Sequence, residues 1–215
     1  MSTLGESIAE YDAQKAARVP ATVLQTMADA TAQLRAQGIA DHSVKTGDSA
    51  PDFVLPNHHG EPRRLYDLLA STTVVLNFYR GGWCPYCNME LNALQQRLPQ
   101  LNAAGATLIA VSPELPDRAR DTQARHALEF DVLSDVGNHI SSRYGLTFEL
   151  PEQLRPVYTK LGIDLPAYNG DDSFVLPVPA SYVIDRDGVV RYHFVNVDYT
   201  QRLEPTLLLD VLRGR

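Results

Sequence analysis

The chain has 215 residues, a formal net charge of −7 and 44% hydrophobic residues. That suits one globular domain with decoration, and the acidic balance gives no reason to expect a nucleic-acid partner. No apolar run approaches the ~20 residues of a membrane-spanning helix, and two cysteines are too few for a disulfide scaffold; a reducing, cytoplasmic setting is the expectation.

Residues 2–18 and 21–37 have the pattern of two helices separated by Pro20, with Val23, Met27, Ala30 and Leu34 on one face and Gly38 as the stop. The opening, Met1 to Tyr11, has neither a basic run nor an apolar run, so no export signal is expected. Residues 1–44 are therefore expected to form an N-terminal helical extension without chemistry of its own, docked on the domain or on a second subunit of a homodimer. The main domain is expected over 45–215. It opens with a short edge strand at Asp52–Pro56, a turn at Asn57–Gly60 and a returning arm from Pro62 to Tyr66. His58 and His59 in that turn are expected to be solvated polar residues rather than metal ligands. Asp67 is expected to cap a short helix over Leu68–Ala70.

Thr73–Tyr79 is β-branched and aromatic, with the length of a core strand, and Leu91, Leu94, Leu98 and Leu101 then recur at helical spacing. Cys84 and Cys87 fall between the two, at a predicted helix N-terminus, with Pro85 suited to the first turn. Free backbone N–H groups and the positive end of the helix dipole favour a thiolate there, and thiolates so placed have pKa values of roughly 3.5–7.5. The spacing puts the sulfurs about one turn apart. Cys84 is expected to be the exposed nucleophile and Cys87 the more buried partner that resolves it. A structural metal clip is the alternative, but no third cysteine exists and the six histidines lack a His-x3–5-His pair. Arg80 is placed to hold an anionic substrate, or to lower the cysteine pKa by charge, or to form an ordinary salt bridge.

Pro99 is expected to kink the helix. Gly105 ends it, and Ala106–Val111 is a second buried strand, giving a right-handed parallel crossover. Ligands in such sheets sit beyond the C-terminal strand ends, where both the cysteines and Ser112–Glu114 lie. A helix over 115–130, a strand at 131–135 and a short helix over 136–144 closed by Gly145 follow. Residues 146–178 form a long proline-rich section with a helix over 152–161. Ala180–Asp185 and Val189–Val195 pair as an antiparallel hairpin, and 204–212 is a closing helix.

Two segments carry a resemblance. Trp83-Cys84-Pro85-Tyr86-Cys87 after a strand resembles the thioredoxin-fold redox site. Ala50–Pro56 and Pro179–Gly188 resemble the opening and the late strand of the AhpC/TSA group of peroxiredoxins and related reductases, over roughly 45–212. The phrase from Phe78 to Cys87 is similar to peroxiredoxin-like proteins with a Cys-x-x-Cys site. The resemblance implies an α/β, thioredoxin-like fold with a central mixed sheet flanked by helices. It also implies a thiol-dependent peroxidase cycling through a Cys84–Cys87 disulfide, with thioredoxin or glutathione as reductant and no metal, flavin or haem. The expected substrate-binding residues are Arg80, Trp83, Tyr86 and Pro179. The resemblance further implies a cis peptide before Pro179, facing the cysteines, and matches Glu90 to the glutamate that follows the second cysteine in related reductases. Two departures stand out: Asn77 and Gly81 occupy the places of a Pro and a Thr seven and three residues before the peroxidatic cysteine of peroxiredoxins. A general thiol–disulfide oxidoreductase and a non-enzymatic redox sensor are the alternatives.

Overall fold

The computed structural model describes residues 2–214, so Met1 and Arg215 of the expected segments 1–44 and 45–215 lie outside the described residues. Two helices, α1 (Leu4–Arg18) and α2 (Ala21–Ala36), come first. Thr3 and Glu6 form a reciprocal capping box on α1, and Gly38 takes the left-handed conformation that ends α2. The hairpin β1 (Val54–Pro56) and β2 (Pro62–Arg64) leads into α3 (Leu65–Leu69). That helix begins before Asp67, which sits in its first turn rather than at its cap. Leu65 is completely buried, so packing draws the helix start forward.

The main sheet contains β3 (Thr73–Phe78), β4 (Ala106–Ser112), β5 (Asp131–Ser134), β8 (Ala180–Ile184) and β9 (Val190–Val195), in the order β5-β4-β3-β8-β9. β3 pairs parallel with β4 and β4 with β5, while β8 runs antiparallel to β3 and β9 antiparallel to β8. The helix α4 (Pro85–Ala103) makes the crossover between β3 and β4 and continues through Pro99. Strand alternation divides the interior into two layers. Val75, Leu108, Ala110, Val132 and Val183 face α4 and the closing helix α9 (Pro205–Leu212). Leu76, Phe78, Ile109, Val111 and Tyr182 face α3 and α6 (His139–Arg143) on the other side.

Between β4 and β5 lies α5 (Pro116–Arg125). It stops earlier than its sequence pattern suggests, because Ala127 turns to positive φ and returns the chain to the sheet. The proline-rich section holds β6 (Thr147–Glu149), a 3-10 turn at Glu152–Leu154, α7 (Arg155–Lys160), α8 (Leu165–Asn169) and β7 (Val175–Pro177). β6 and β7 form a separate two-stranded sheet.

Of the two turn histidines, His59 is exposed as expected and His58 is not. His58 is buried, and its Nδ1 accepts the Val132 backbone N–H at 3.3 Å, because Asn57 bridges to Leu133 and holds the turn against the edge of β5. No group of three or more potential metal ligands occurs among the described residues, and no described helix is long and apolar enough to cross a membrane.

Candidate active site

β3 delivers the chain to the sheet edge, and Phe78 through Cys87 wraps from there into the first turn of α4. Cys84 is the N-cap residue of α4 and Pro85 the first helical residue, so the missing N–H of Pro85 costs nothing. Both cysteines are free thiols. The backbone before them is constrained: Gly81 has φ +147, and a Cβ there would lie 2.3 Å from Trp83 Nε1 and 3.1 Å from Glu114 Oε1. Gly82 has no room either, since its Cβ would lie 2.0 Å from Thr122 Oγ1. The threonine that peroxiredoxins place at the position of Gly81 is therefore excluded here by the Trp83 ring.

Cys84 is not exposed, contrary to the expectation from its helix-terminal position. It is 2% accessible and Cys87 is 0%. The reason is the N-terminal extension. Tyr11 packs edge-on against Tyr86 at 5.2 Å, Lys15 Nζ donates to Tyr86 Oη at 3.1 Å and to Tyr199 Oη at 3.4 Å, and Tyr86 donates to Asp12. Together with Met27 of α2 they roof a cavity of about 240 Å³, which Cys84, Arg80, Trp83, Tyr86, Tyr158 and Tyr199 also line. The extension thus supplies walls and charge to the site, which its sequence did not announce.

Of the expected binding residues, Arg80, Trp83 and Tyr86 meet around this cavity and Pro179 does not line it. The expected cis peptide is absent, as no cis peptide bond occurs among the described residues. Val178 donates its N–H to Leu146 O at 2.7 Å, and β8 begins at Ala180, so an extended path is fixed on both sides of a buried Pro179.

Arg80 is 2% accessible and stacked among aromatic rings, 4.6 Å from the Tyr199 centroid and 5.0 Å from that of Trp83. It donates to Tyr158 Oη, while its Nε and Trp83 Nε1 are buried without a hydrogen-bond partner among the described residues. An unmade hydrogen bond on a buried donor costs about 1–3 kcal/mol, so the Arg80 guanidinium at the cavity wall is suited to a ligand entering it, whereas Trp83 Nε1 lies against Gly81.

Two residues come together that the sequence analysis did not combine. Glu90 is buried and ion-paired with Arg202, whose side chain is 1% accessible and whose Nη2 lies 3.4 Å from Cys87 Sγ. No periodicity or motif marks Arg202, which stands in the connection between β9 and α9. Glu114, at the end of β4, is fully buried and accepts the Gly82 N–H at 3.0 Å. Burial, partly offset by that bond, raises its pKa to about 7. Its place at the sheet edge was legible, but its burial was not.

Burial opposes ionisation of Cys84, but the Cys87 side chain, the Arg80 and Arg202 charges and the Cys87 backbone N–H outweigh it and lower the pKa to about 6. Burial and the adjacent Cys84 push Cys87 well above the ordinary thiol range. Alkylation follows the thiolate. Iodoacetamide should therefore modify Cys84 before Cys87, at a rate already near its plateau at neutral pH. Arg80→Met removes a charge that favours the thiolate, so the inflection should move to higher pH. A wild-type profile still climbing through pH 8–9 would contradict an activated thiol.

A five-stranded mixed sheet with a Cys-x-x-Cys pair at the N-terminus of the crossover helix defines a thioredoxin-like fold. The AhpC/TSA family model matches residues 46–193, and the chain belongs to that family. It is 28% identical over 103 residues to Peroxiredoxin Bcp of Escherichia coli, covering 48% of this chain and 65% of that protein, so it spans just under two thirds of that relative's length. It is 26% identical over 168 residues to the thiol-disulfide oxidoreductase ResA of Bacillus thuringiensis, covering 78% of this chain and 79% of the relative. The crystal structure of peroxidoxin BcpB from Mycobacterium tuberculosis superposes with a TM-score of 0.63 at 23% identity, over 80% of this chain and 97% of that one. This last likeness is one of fold.

Proposed function

We propose that the protein is a thiol-dependent peroxidase that reduces hydrogen peroxide or organic hydroperoxides through a Cys84–Cys87 disulfide. The observation that carries this is the Cys84 thiol with a pKa near 6 in a small cavity, beside a buried Arg80 whose Nε–H lacks a partner among the described residues. Arg80 holds the peroxide oxygens over the Trp83 ring, and the Cys84 thiolate attacks the nearer one. The O–O bond breaks, leaving Cys84 as a sulfenic acid and the other oxygen as an alcohol or water after protonation. Cys87 then attacks the sulfenic sulfur, and the disulfide forms with loss of water. A dithiol or glutathione restores both thiols. A cytoplasmic setting and a homodimer belong to this reading. So does the division at residues 44 and 45, with the extension acting as a wall of the site rather than a distant appendage.

A general thiol–disulfide oxidoreductase is the second reading, supported by the Cys-x-x-Cys spacing and the ResA similarity. Burial of Cys84 at 2% accessibility favours a small peroxide over a protein disulfide as the oxidant, and for the same reason it favours a small thiol over a protein dithiol as the reductant. The test is peroxide consumption with a thioredoxin system, with glutathione and with dithiothreitol, set beside reduction of insulin disulfides. Consumption of peroxide without insulin reduction is expected. Insulin reduction without peroxide turnover would overturn the peroxidase reading.

A further inference from the structure

The Arg202 guanidinium is almost wholly enclosed and fully engaged. Its Nη1 donates to Glu90, its Nε and Nη2 donate to Tyr199 O at 3.0 and 2.8 Å, and Nη2 also reaches Cys87 Sγ at 3.4 Å. Arg202 lies outside the segment matched by the family model, which ends at residue 193. Glu90 fixes it from α4, two charges offset each other in the interior, and the remaining donor capacity falls on a sulfur. Arg80 serves the opposite sulfur from the cavity side. Both charges favour the Cys84 thiolate, but the cation in contact with Cys87 Sγ is Arg202, delivered by a connection far along the chain.

We propose that Arg202 is the catalytic group of the resolving cysteine, stabilising the Cys87 thiolate when it forms and when it leaves. This rests on Cys84 and Cys87 being a redox pair. During reduction, a thiolate of the reductant attacks Cys84 Sγ and forms a mixed disulfide. The Cys84–Cys87 bond breaks, and its electron pair stays on Cys87 as a thiolate facing Arg202. The second thiol of the reductant then resolves the mixed disulfide, releasing Cys84 as a thiolate and oxidised reductant. In the forward direction Cys87 must lose its proton before it can attack. Burial opposes that loss, and Arg202 is the cation that touches the sulfur.

The test uses the full chain with dithiothreitol as the redox probe and no peroxide. Arg202→Met is combined with Glu90→Gln, so that no buried carboxylate loses its partner. The disulfide should be reduced about tenfold more slowly by dithiothreitol at about pH 8, the weight of one pKa unit in the thiolate that leaves. In a Cys84→Ser background, loss of Arg202 should move the Cys87 alkylation inflection to higher pH, a change that a merely structural role would not produce. Arg202→Lys, which keeps Glu90 paired, should slow the reduction by less, and it supplies the measurement if the double variant does not fold. An unchanged rate and an unchanged inflection in folded variants overturn the proposal. Peroxide turnover with an unchanged reduction rate would overturn it and spare the peroxidase reading. A slowed reduction in a chain that turns over no peroxide would sustain it and count against the peroxidase.

Discussion

Cys84→Ser should abolish peroxide turnover, whereas Cys87→Ser should undergo one oxidation and then stall with dithiol reductants. The two positions differ in chemistry more than in burial. Cys84 alone lines the cavity, and Arg80 and Arg202 hold it largely ionised at neutral pH. Cys87 lies one turn inside with its thiol favoured. A serine hydroxyl at Cys84 has neither the ionisation nor the nucleophilicity to cleave an O–O bond, so nothing else in the chain can replace it. In Cys87→Ser the first step remains, but the sulfenic acid has no second thiol to condense with. Mass spectrometry after one equivalent of peroxide should show one added oxygen on Cys87→Ser, a disulfide in the wild type and no change in Cys84→Ser. Sulfenic acid trapped on Cys87 in the wild-type protein would reverse the assignment.

The parts of the site written as local sequence were legible in advance. The strand into Phe78, the proline at the first turn of the helix and the leucine spacing beyond it place two thiols at a helix N-terminus without any tertiary knowledge. The parallel pairing of β3 with β4 was legible to the same extent, because a strand-helix-strand run of this spacing leaves few topologies open. What escaped depends on distant contacts. Cys84 looked exposed because helix starts at sheet edges usually are, yet α1, some seventy residues earlier, closes over it through Tyr11 and Lys15. Glu90 was matched to a glutamate of related reductases, but nothing local told that Arg202 would be its buried partner. Pro179 resembled a proline that faces the cysteines, but the path from β7 into β8 keeps it extended and out of the cavity. In each case the missing information was which buried group a remote side chain would reach, and amphipathic periodicity does not contain that.

The charges at the site have different origins. Arg80 and Glu114 belong to the redox loop and the end of β4, inside the family segment, and they would travel with the fold. Lys15 and Arg202 lie outside it. They act on opposite sides of the cysteine pair, Lys15 over Tyr86 and Tyr199 at the cavity roof and Arg202 beneath Cys87. The common scaffold therefore sets the position of the sulfurs, while the terminal segments add to the field around them.

Gly81→Thr, which installs the residue peroxiredoxins carry at this place, should weaken the fold rather than improve peroxide chemistry. The backbone φ of +147 is one that a β-branched residue rarely adopts. The added Cβ would also lie 2.3 Å from Trp83 Nε1 and 2.7 Å from Cδ1. Relief requires Trp83 to swing away, but that ring packs edge-on against Tyr158 at 5.6 Å and carries the Arg80 guanidinium on its face. Moving it would disturb the cation that helps keep Cys84 ionised. Backbone strain and overpacking together should cost about 2–4 kcal/mol, read as a lower urea midpoint, and the Cys84 alkylation inflection should rise at the same time. Gly105→Ala is the control, because its φ of +77 is also left-handed but its Cβ would meet nothing within 4 Å. It should cost only the roughly 1–2 kcal/mol of the backbone conformation and leave the inflection in place. Equal losses of stability in the two variants, with the Cys84 profile unmoved in both, would show that Trp83 yields freely and that the glycine is not what keeps the threonine out.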